Sequence, residues 1–183
     1  MKITLIRHAE VVEKYSGCYN RHIDISLSEN GHNQAREIAQ KFQNEKFDAV
    51  FCSDLKRAKE TLNYFSHAKE KVIYTDKLRE KSWGKHEGMS FDEIISQGEI
   101  EYKNFLQWID ALDGESKEAF MARVDKFFFE FLPTTHKENI LIVTHSGVIK
   151  VFLSLTKNIT MEEAFSINIP YCHNIIYKKF KTQ

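Results

Sequence analysis

Short runs of apolar residues recur along the chain, each bounded by polar residues. Four runs of strand length predict buried β-strands over residues 2–6, 48–52, 71–74 and 139–143. Between them, apolar residues recur at helical offsets in two sets: Ala35, Ile38, Ala39 and Phe42, then Leu55, Ala58, Leu62 and Phe65. Ser28 and the pair Ser53-Asp54 precede these sets as candidate N-caps. The alternation predicts an α/β fold of three layers, with a mainly parallel sheet flanked by helices on both faces.

The second half of the chain interrupts this alternation. Residues 91–132 predict two helices separated by the turn at 114–116; the first carries Tyr102, Phe105, Leu106 and Ile109, and the second carries Phe120, Val124, Phe127, Phe128 and Phe131. The helical spacing of these aromatic residues favours core packing over a ligand cage. We expect a helical insertion within one domain that spans residues 1–183. An apolar helix over 148–155 and edge strands over 164–169 and 174–180 are predicted to follow.

Composition and charge narrow the classes of function. The chain has 183 residues, 26 Lys+Arg against 26 Asp+Glu, and 8 histidines. This balance argues against a broadly basic nucleic-acid-binding or membrane-surface protein. The apolar start is too short for a signal peptide and no apolar run approaches a membrane span, so we expect a cytoplasmic protein. Three widely spaced cysteines, with no CxxC pair, predict neither a disulfide framework nor a zinc ribbon.

Residues with phosphate-binding chemistry follow the predicted strands. In an open parallel sheet, ligands bind beyond the carboxyl ends of the strands. The segments at these ends include two histidines, two arginines and a glutamate: His8, His145, Arg7, Arg57 and Glu80. Arginine binds phosphate oxygens with two donors, and histidine can act as a nitrogen nucleophile. Without a P-loop, an HExxH motif or paired carboxylates at metal-ligand spacing, the pattern predicts phosphoryl transfer that needs no metal or other cofactor.

Five segments, in order, carry a family resemblance. They are Arg7-His8-Ala9-Glu10; the Asp-x-x-Leu-Ser-x-x-Gly segment at 24–31; the Ser-x-x-x-Arg-Ala-x-x-Thr segment at 53–61; Leu78-Arg79-Glu80 with Trp83-Gly84 and Glu87-Gly88; and Val143-Thr144-His145-Ser146-Gly147. The chain thereby resembles the histidine phosphatase superfamily, also called phosphoglycerate mutase-like, over almost its whole length. Ala9 stands where the family usually has glycine. The resemblance implies a phosphoglycerate mutase-like fold with the insertion over the active site.

The resemblance also implies roles for the residues at the strand ends. His8 is the implied nucleophile that takes the phosphoryl group, Arg7, Arg57 and His145 hold the phosphoryl oxygens, and Ser146 joins them as a phosphate-binding residue. Glu80 is the implied proton donor to the leaving group. Glu87, in a second acidic motif nearby, stays open as an alternative donor.

The substrate is indicated less directly. Phosphoglycerate mutases of the family typically have asparagine where this chain has Lys14, which disfavours mutase activity. The loop at 17–24 resembles that of α-ribazole phosphatase-type members, with Lys14, Asn20, Arg21 and His22 as candidate substrate contacts or, alternatively, a solvated loop. The expected partner is a small phosphorylated metabolite, with α-ribazole 5'-phosphate the most specific candidate.

Other functions remain open beside that candidate. Another sugar or nucleotide phosphate, or phosphohistidine on a protein, could be the substrate. The alternative of a different class is a phosphate-binding module without turnover. No nucleic acid or membrane partner is expected, and the sequence carries no signal for an oligomeric state.

Overall fold

One five-stranded sheet organises the molecule. The computed structural model describes residues 1–15, 18–20, 22–66, 72–98 and 100–178. The strands follow the order β3-β2-β4-β1-β5; they are Lys2–Arg7 (β1), Ala49–Ser53 (β2), Val72–Thr75 (β3), Asn139–Thr144 (β4) and Asn174–Lys178 (β5). The first four strands pair in parallel and β5 pairs antiparallel with β1 at one edge. The predicted strand residue Lys71 and the end of the last predicted strand, 179–180, lie outside the described residues.

Helices connect the strands and cover the sheet. They are Glu29–Lys41 (α1), Lys56–Leu62 (α2), Phe91–Ser96 (α3), Phe105–Ala111 (α4), Lys117–Asp125 (α5), Leu132–Thr134 (α6), Ser146–Lys157 (α7) and Met161–Ser166 (α8). A π-helical segment, Lys126–Phe131, joins α5 to α6. Within the described part of the chain, no helix is long and apolar enough to cross a membrane.

Successive side chains of each strand point to opposite faces of the sheet, so the hydrophobic core has one part on each face. Ile3, Leu5 and Phe51 pack with α5 and α7 on one face. Ile6 and Val50 pack with α1 and α2 on the other face. Helices therefore lie on both sides of a mainly parallel sheet, and the predicted three-layer α/β class is confirmed.

Four local predictions differ from the structure. The strand predicted over 164–169 is wrong: residues 164–166 belong to α8, because Thr160 and Glu163 form a capping box that starts a helix. Ser53 and Asp54 do not cap α2; its N-cap is Leu55, which makes no side-chain cap bond. The insertion contains α3, which was not predicted and which also begins with a capping box. Tyr102 precedes α4, whose N-cap is Asn104.

Gly31 allows α1 to lie against the loop that follows β1. Its amide donates to the N-cap Ser28 Oγ at 2.9 Å, and Ser28 Oγ donates to Glu10 Oε1 at 2.6 Å. A Cβ at position 31 would lie 2.0 Å from the carbonyl oxygen of Glu10. Because that neighbour is backbone, it cannot move away as a flexible side chain would. The start of α1 thus holds the loop next to His8.

We predict that Gly31→Ala destabilises the protein by about 1–3 kcal/mol, as overpacking does. In an unobstructed helix the same change would stabilise by roughly 0.5–1 kcal/mol, so the sign of the effect tests the contact. Urea unfolding measures it. Gln40→Ala, at an exposed position of α1, is the matched control and should change stability by less than about 0.5 kcal/mol. A stabilising Gly31→Ala would contradict the described contact.

Candidate active site

The carboxyl ends of β1 and β4 bring two histidines together. The two strands are neighbours, with Arg7 opposite Thr144, and the His8 amide donates to the Thr144 carbonyl at 2.9 Å. The ring centres of His8 and His145 are 5.1 Å apart. His145 Nε2 lies 2.8 Å from Ser53 Oγ, at the end of β2. Ser53, predicted as a helix cap, instead orients the second histidine.

A hydrogen bond selects the tautomer of neutral His8. Nδ1 lies 2.7 Å from the carbonyl oxygen of Ala9. A carbonyl oxygen only accepts, so Nδ1 must carry the proton of this bond. In the neutral ring the lone pair is then on Nε2. His8 is only 6 % exposed and lines the candidate cavity, so the ring is held in one orientation beside the space a substrate would occupy.

Arg7 and Arg57 supply positive charge to the same cavity. Arg7 donates to the carbonyl of Ile169, and its guanidinium carbon lies 4.0 Å from the ring centre of Tyr171. Arg57, in the first turn of α2, is 2 % exposed and donates to the carbonyl of Ile23 at 3.0 Å. Arginines fixed in this way, Arg57 buried and Arg7 partly buried, keep their planar sets of donors directed at one place.

Thr61 ties α2 to the segment that carries His8. Its hydroxyl donates to the carbonyl of Arg57 at 2.7 Å and accepts from the amide of Ala9 at 2.9 Å. Ala58 and Ala9 are both fully buried. The Thr61 hydroxyl is thus the contact between α2 and the loop after β1, which gives a physical reason for the threonine of the Arg-Ala-x-x-Thr pattern.

Glu80 lies in the wall of the same cavity. Its side chain is buried, at 2 % exposed. Oε2 accepts from the Gly147 amide at 2.8 Å and lies 3.4 Å from Ser146 Oγ. A Cβ at position 147 would lie 2.0 Å from Glu80 Oε1, so this approach requires glycine. The first turn of α7 therefore binds the Glu80 carboxyl group.

Several contacts fix the segment that carries Glu80. Thr144 Oγ1 donates to the Leu78 carbonyl at 2.8 Å. Arg79 binds Asp54 with two donors, each at 2.7 Å. His22 Nε2 donates to the Glu80 carbonyl at 2.8 Å. These contacts attach the segment to β4, to the end of β2 and to the loop after β1.

Glu87 has a different environment from Glu80. Its Oε1 accepts from the Trp83 amide at 2.8 Å, and its Oε2 accepts from the His22 amide at 3.0 Å. Both carboxylate oxygens thus bind backbone groups of neighbouring loops. Of the two candidate proton donors, the structure places Glu80 in the cavity wall and uses Glu87 to hold loops together.

The candidate cavity encloses about 200 Å³ and is lined by a mixture of predicted and unpredicted residues. Those predicted are Arg7, His8, Asn20, Arg57, Glu80, His145 and Ser146; the others are Val11, Tyr15, Cys18, Ile25 and Tyr171. Among the described residues, Lys14 and His22 lie outside this lining: Lys14 is exposed near the Tyr15 ring, and His22 supports Glu80. Arg21 lies outside the described residues.

Tyr171 comes from a part of the chain that carried no motif. Its ring packs over Arg7 and lies 5.6 Å, centre to centre, from the ring of His8. The next residue, Cys172, donates its amide to the His8 carbonyl at 3.4 Å. Burial raises the pKa of the Cys172 thiol to about 12, so this thiol stays neutral beside the site. The pairing of β5 with β1, which sequence patterns do not reveal, brings this turn to the cavity.

The electrostatics of the cavity suit a small anion. Two arginines and two histidines surround it, and Glu80 is the one carboxyl group among the lining residues that the structure describes. Among residues 1–15, 18–20, 22–66, 72–98 and 100–178, no group of three or more His, Cys, Asp or Glu side chains could hold a metal ion. The arrangement can neutralise phosphate charge with side chains, offer a nitrogen nucleophile and place a carboxyl group nearby.

The chain matches one family model and is similar in sequence to proteins named as phosphatases. The family model of the histidine phosphatase superfamily (branch 1) matches residues 3–180. The adenosylcobalamin/alpha-ribazole phosphatase of Escherichia coli is 29% identical over 84% of this chain and 78% of its own. Phosphoserine phosphatase 1 of Hydrogenobacter thermophilus is 26% identical over 97% of this chain and 84% of its own.

A solved structure has the same architecture. The alpha-ribazole phosphatase of Shigella flexneri superposes with a TM-score of 0.85 at 25% identity, covering 99% of this chain and 92% of that one. The sheet and the cavity described above thus occur in a fold shared with proteins named as phosphatases.

The Asp54–Arg79 pair predicts a pH-dependent contribution to stability. The Arg79 hydrogen bonds hold the pKa of Asp54 below its usual value. The stabilisation is therefore full above the unfolded pKa of about 3.9 and is lost as pH falls through the lower folded pKa. Asp54→Asn should cost about 1–2 kcal/mol at pH 7, and this cost should decrease as the pH falls below about 3.9.

Denaturant unfolding from pH 7 to pH 3 measures this difference. Asp76→Asn is the matched control, because Asp76 pairs with Lys77 while 60% of its side chain is exposed; it should change stability by less than about 0.5 kcal/mol. A pH-independent effect of Asp54→Asn would refute the assignment.

Proposed function

Because the chain belongs to the histidine phosphatase superfamily (branch 1) and is a phosphatase, we propose that it hydrolyses small phosphomonoesters through a phosphohistidine on His8, without a metal. The observation that carries the proposal is the His8 ring: Nδ1 is held by the Ala9 carbonyl, and the ring lies beside two arginines in one cavity. A neutral imidazole in this tautomer presents Nε2 as the nucleophile.

The first step transfers the phosphoryl group to the protein. His8 Nε2 attacks phosphorus as the bond to the leaving-group oxygen breaks. The leaving oxygen takes a proton from the Glu80 carboxylic acid. Arg7, Arg57 and His145 hold the phosphoryl oxygens, and Ser146 adds a hydroxyl donor. These groups are fixed by contacts within the protein before substrate binds. The donors are therefore already in place to stabilise the charge of the transition state.

The second step returns the protein to its starting state. A water molecule attacks the phosphohistidine and gives a proton to the Glu80 carboxylate. The bond between phosphorus and Nε2 breaks, inorganic phosphate leaves, and Glu80 is again an acid. The proposal assigns the proton to Glu80 because its carboxyl group lines the cavity, whereas Glu87 is not among the described residues that line it.

The proposal predicts that His8→Ala loses about 10³-fold or more in kcat/KM for p-nitrophenyl phosphate, since no other cavity group replaces the nucleophile. Wild-type protein should keep its activity in EDTA. His32→Ala, a histidine of α1 whose ring contacts Tyr64, is the matched control and should remain active. Wild-type protein that is inert against a broad panel of phosphomonoesters, or an active His8→Ala, would overturn the proposal.

Asn20 is the residue we propose to bind the leaving group. Its Nδ2 donates to the Tyr15 carbonyl, which directs the amide into the cavity lining. Its Oδ1 is buried and has no hydrogen-bond partner among the described residues. An unpaired buried acceptor is unfavourable, and we propose that a donor on the substrate pairs with it. A hydroxyl or ammonium group near the phosphate would supply one.

α-Ribazole 5'-phosphate, with ribose hydroxyls near its phosphate, is the substrate we propose. The E. coli relative and the S. flexneri structure, both named as α-ribazole phosphatases, support this choice. Phosphoserine, whose ammonium group is also a donor, is the second candidate because a relative covering 97% of the chain is a phosphoserine phosphatase. Other sugar or nucleotide phosphates and phosphohistidine on a protein are weaker alternatives, and phosphoglycerate mutation is disfavoured.

Steady-state kinetics on α-ribazole 5'-phosphate, phosphoserine and p-nitrophenyl phosphate test the substrate and the Asn20 contact together. We expect the highest kcat/KM for α-ribazole 5'-phosphate. Asn20→Ala should lower that value about 10-fold, the effect of one hydrogen bond, while p-nitrophenyl phosphate, which lacks the donor, should change less than about 2-fold. Equal effects on all three substrates would remove Asn20 from the leaving-group site; preference for phosphoserine would replace the proposed substrate.

A further inference from the structure

Arg123, in the helical insertion, binds the segment that carries Glu80. It lies on α5, and its guanidinium faces the backbone of residues 77–80. Nη1 donates to the Lys77 carbonyl at 2.8 Å and to the Arg79 carbonyl at 3.0 Å, and Nη2 lies 3.4 Å from the Glu80 carbonyl. One side chain therefore binds three backbone carbonyl groups in the segment that ends at the proposed proton donor.

Glu115 holds the other side of the same guanidinium. Arg123 Nε donates to Glu115 Oε1 at 2.8 Å, and Nη2 donates to Oε2 at 2.7 Å. The side chains are 16% and 17% exposed, so the pair is largely shielded from water. A planar fork fixed by a carboxylate on one edge has little freedom left on the other. The carboxylate thus orients the donors that bind the Glu80 segment.

The turn that carries Glu115 is itself packed against the residues that follow Glu80. The Glu115 amide donates to the Ser82 carbonyl at 3.2 Å. Gly114 has a φ of +120°, and a Cβ there would lie 2.6 Å from both the Ser82 carbonyl oxygen and the Gly84 nitrogen. The insertion therefore contacts the Glu80 segment both before Glu80, through Arg123, and after it, through the Glu115 turn.

We propose that Arg123 is a positioning residue for Glu80, acting through the backbone of residues 77–80; this inference rests on the proposed function of Glu80 as proton donor. Arg123 is not among the described residues that line the cavity, so it would not touch substrate. Its effect is on where the carboxyl group sits. A displacement of about 1 Å in a catalytic group can cost about 10²-fold in rate.

The basicity of the leaving group separates positioning of an acid from general structural support. A p-nitrophenolate leaving group is weakly basic and departs with little proton donation, whereas an alkoxide requires the acid. Loss of correct Glu80 placement should therefore slow an alkyl phosphate much more than an aryl phosphate. Loss of fold or of phosphate binding should slow both equally.

The experiment compares β-glycerol phosphate with p-nitrophenyl phosphate in six proteins: wild type, Glu80→Gln, Arg123→Met, the double variant Glu80→Gln/Arg123→Met, Arg123→Lys and Lys126→Met. Arg123→Lys keeps the charge and loses the fork, which covers the case in which Arg123→Met fails to fold. Lys126→Met makes the same type of change at an exposed position close to Arg123 in sequence and is the matched control.

We expect both Arg123 variants to lose about 10- to 100-fold in kcat/KM for β-glycerol phosphate and less than about 3-fold in kcat/KM for p-nitrophenyl phosphate. The comparison uses kcat/KM because this ratio reports the steps up to transfer of the phosphoryl group to His8, whereas kcat also contains the hydrolysis of the phosphohistidine, which is the same for both substrates. Glu80→Gln should show the same selectivity, more strongly, and adding Arg123→Met to it should cause little further loss. Lys126→Met should match wild type on both substrates.

Two results would overturn the inference, and they are distinguishable. If Glu80→Gln lowers kcat/KM selectively for the alkyl substrate but the folded Arg123 variants lower kcat/KM equally for both substrates or for neither, Arg123 does not position Glu80 and the proposed function stands. If Glu80→Gln itself lowers kcat/KM equally for both substrates, Glu80 is not the proton donor, and the inference fails with that part of the proposed function.

Discussion

The parallel pairing of β1 with β4 is the constraint on which the site depends. It sets Arg7 opposite Thr144, so the residues that follow, His8 and His145, leave the sheet side by side with ring centres 5.1 Å apart. These two residues are 137 positions apart in the sequence, so the sheet and not the local chain brings them together. Their proximity results from a crossover connection in a parallel sheet, and the other groups of the cavity are arranged around this pair.

Close backbone approaches then fix the surrounding groups. Gly147 allows the first turn of α7 to bind the Glu80 carboxyl group, and Gly31 allows the first turn of α1 to support the loop after β1. Thr61 joins α2 to Ala9 through both of its hydrogen-bonding functions. Most motif residues that never line the cavity are thus small or hydroxyl-bearing residues at contacts between elements. The chemistry of the cavity depends on these contacts because they hold charged groups that would otherwise repel one another.

The residues that follow the strands could be predicted from the sequence, because hydrophobic periodicity locates the strands and the residues after them can then be identified. All five residues predicted in this way lie in the cavity wall: Arg7, His8, Arg57, Glu80 and His145. Tyr171 could not be predicted, since its place depends on β5 returning antiparallel to β1. The contacts of Arg123 could not be predicted either, because they are with residues 43 to 46 positions earlier in the sequence. The strand predicted at 164–169 was wrong for a local reason: the capping box of Thr160 and Glu163 outweighs the apolar pattern that follows it.

Transfer of the phosphoryl group to His8 can be tested by trapping the phosphorylated intermediate. Wild-type protein would be mixed with p-nitrophenyl phosphate, quenched in alkali within milliseconds, and mapped by peptide mass spectrometry. We expect one base-stable, acid-labile phosphoryl group on His8 that forms and decays fast enough to carry turnover. A phosphoryl group on another residue, or rapid turnover with no phosphorylated protein and inversion of configuration at phosphorus, would contradict it.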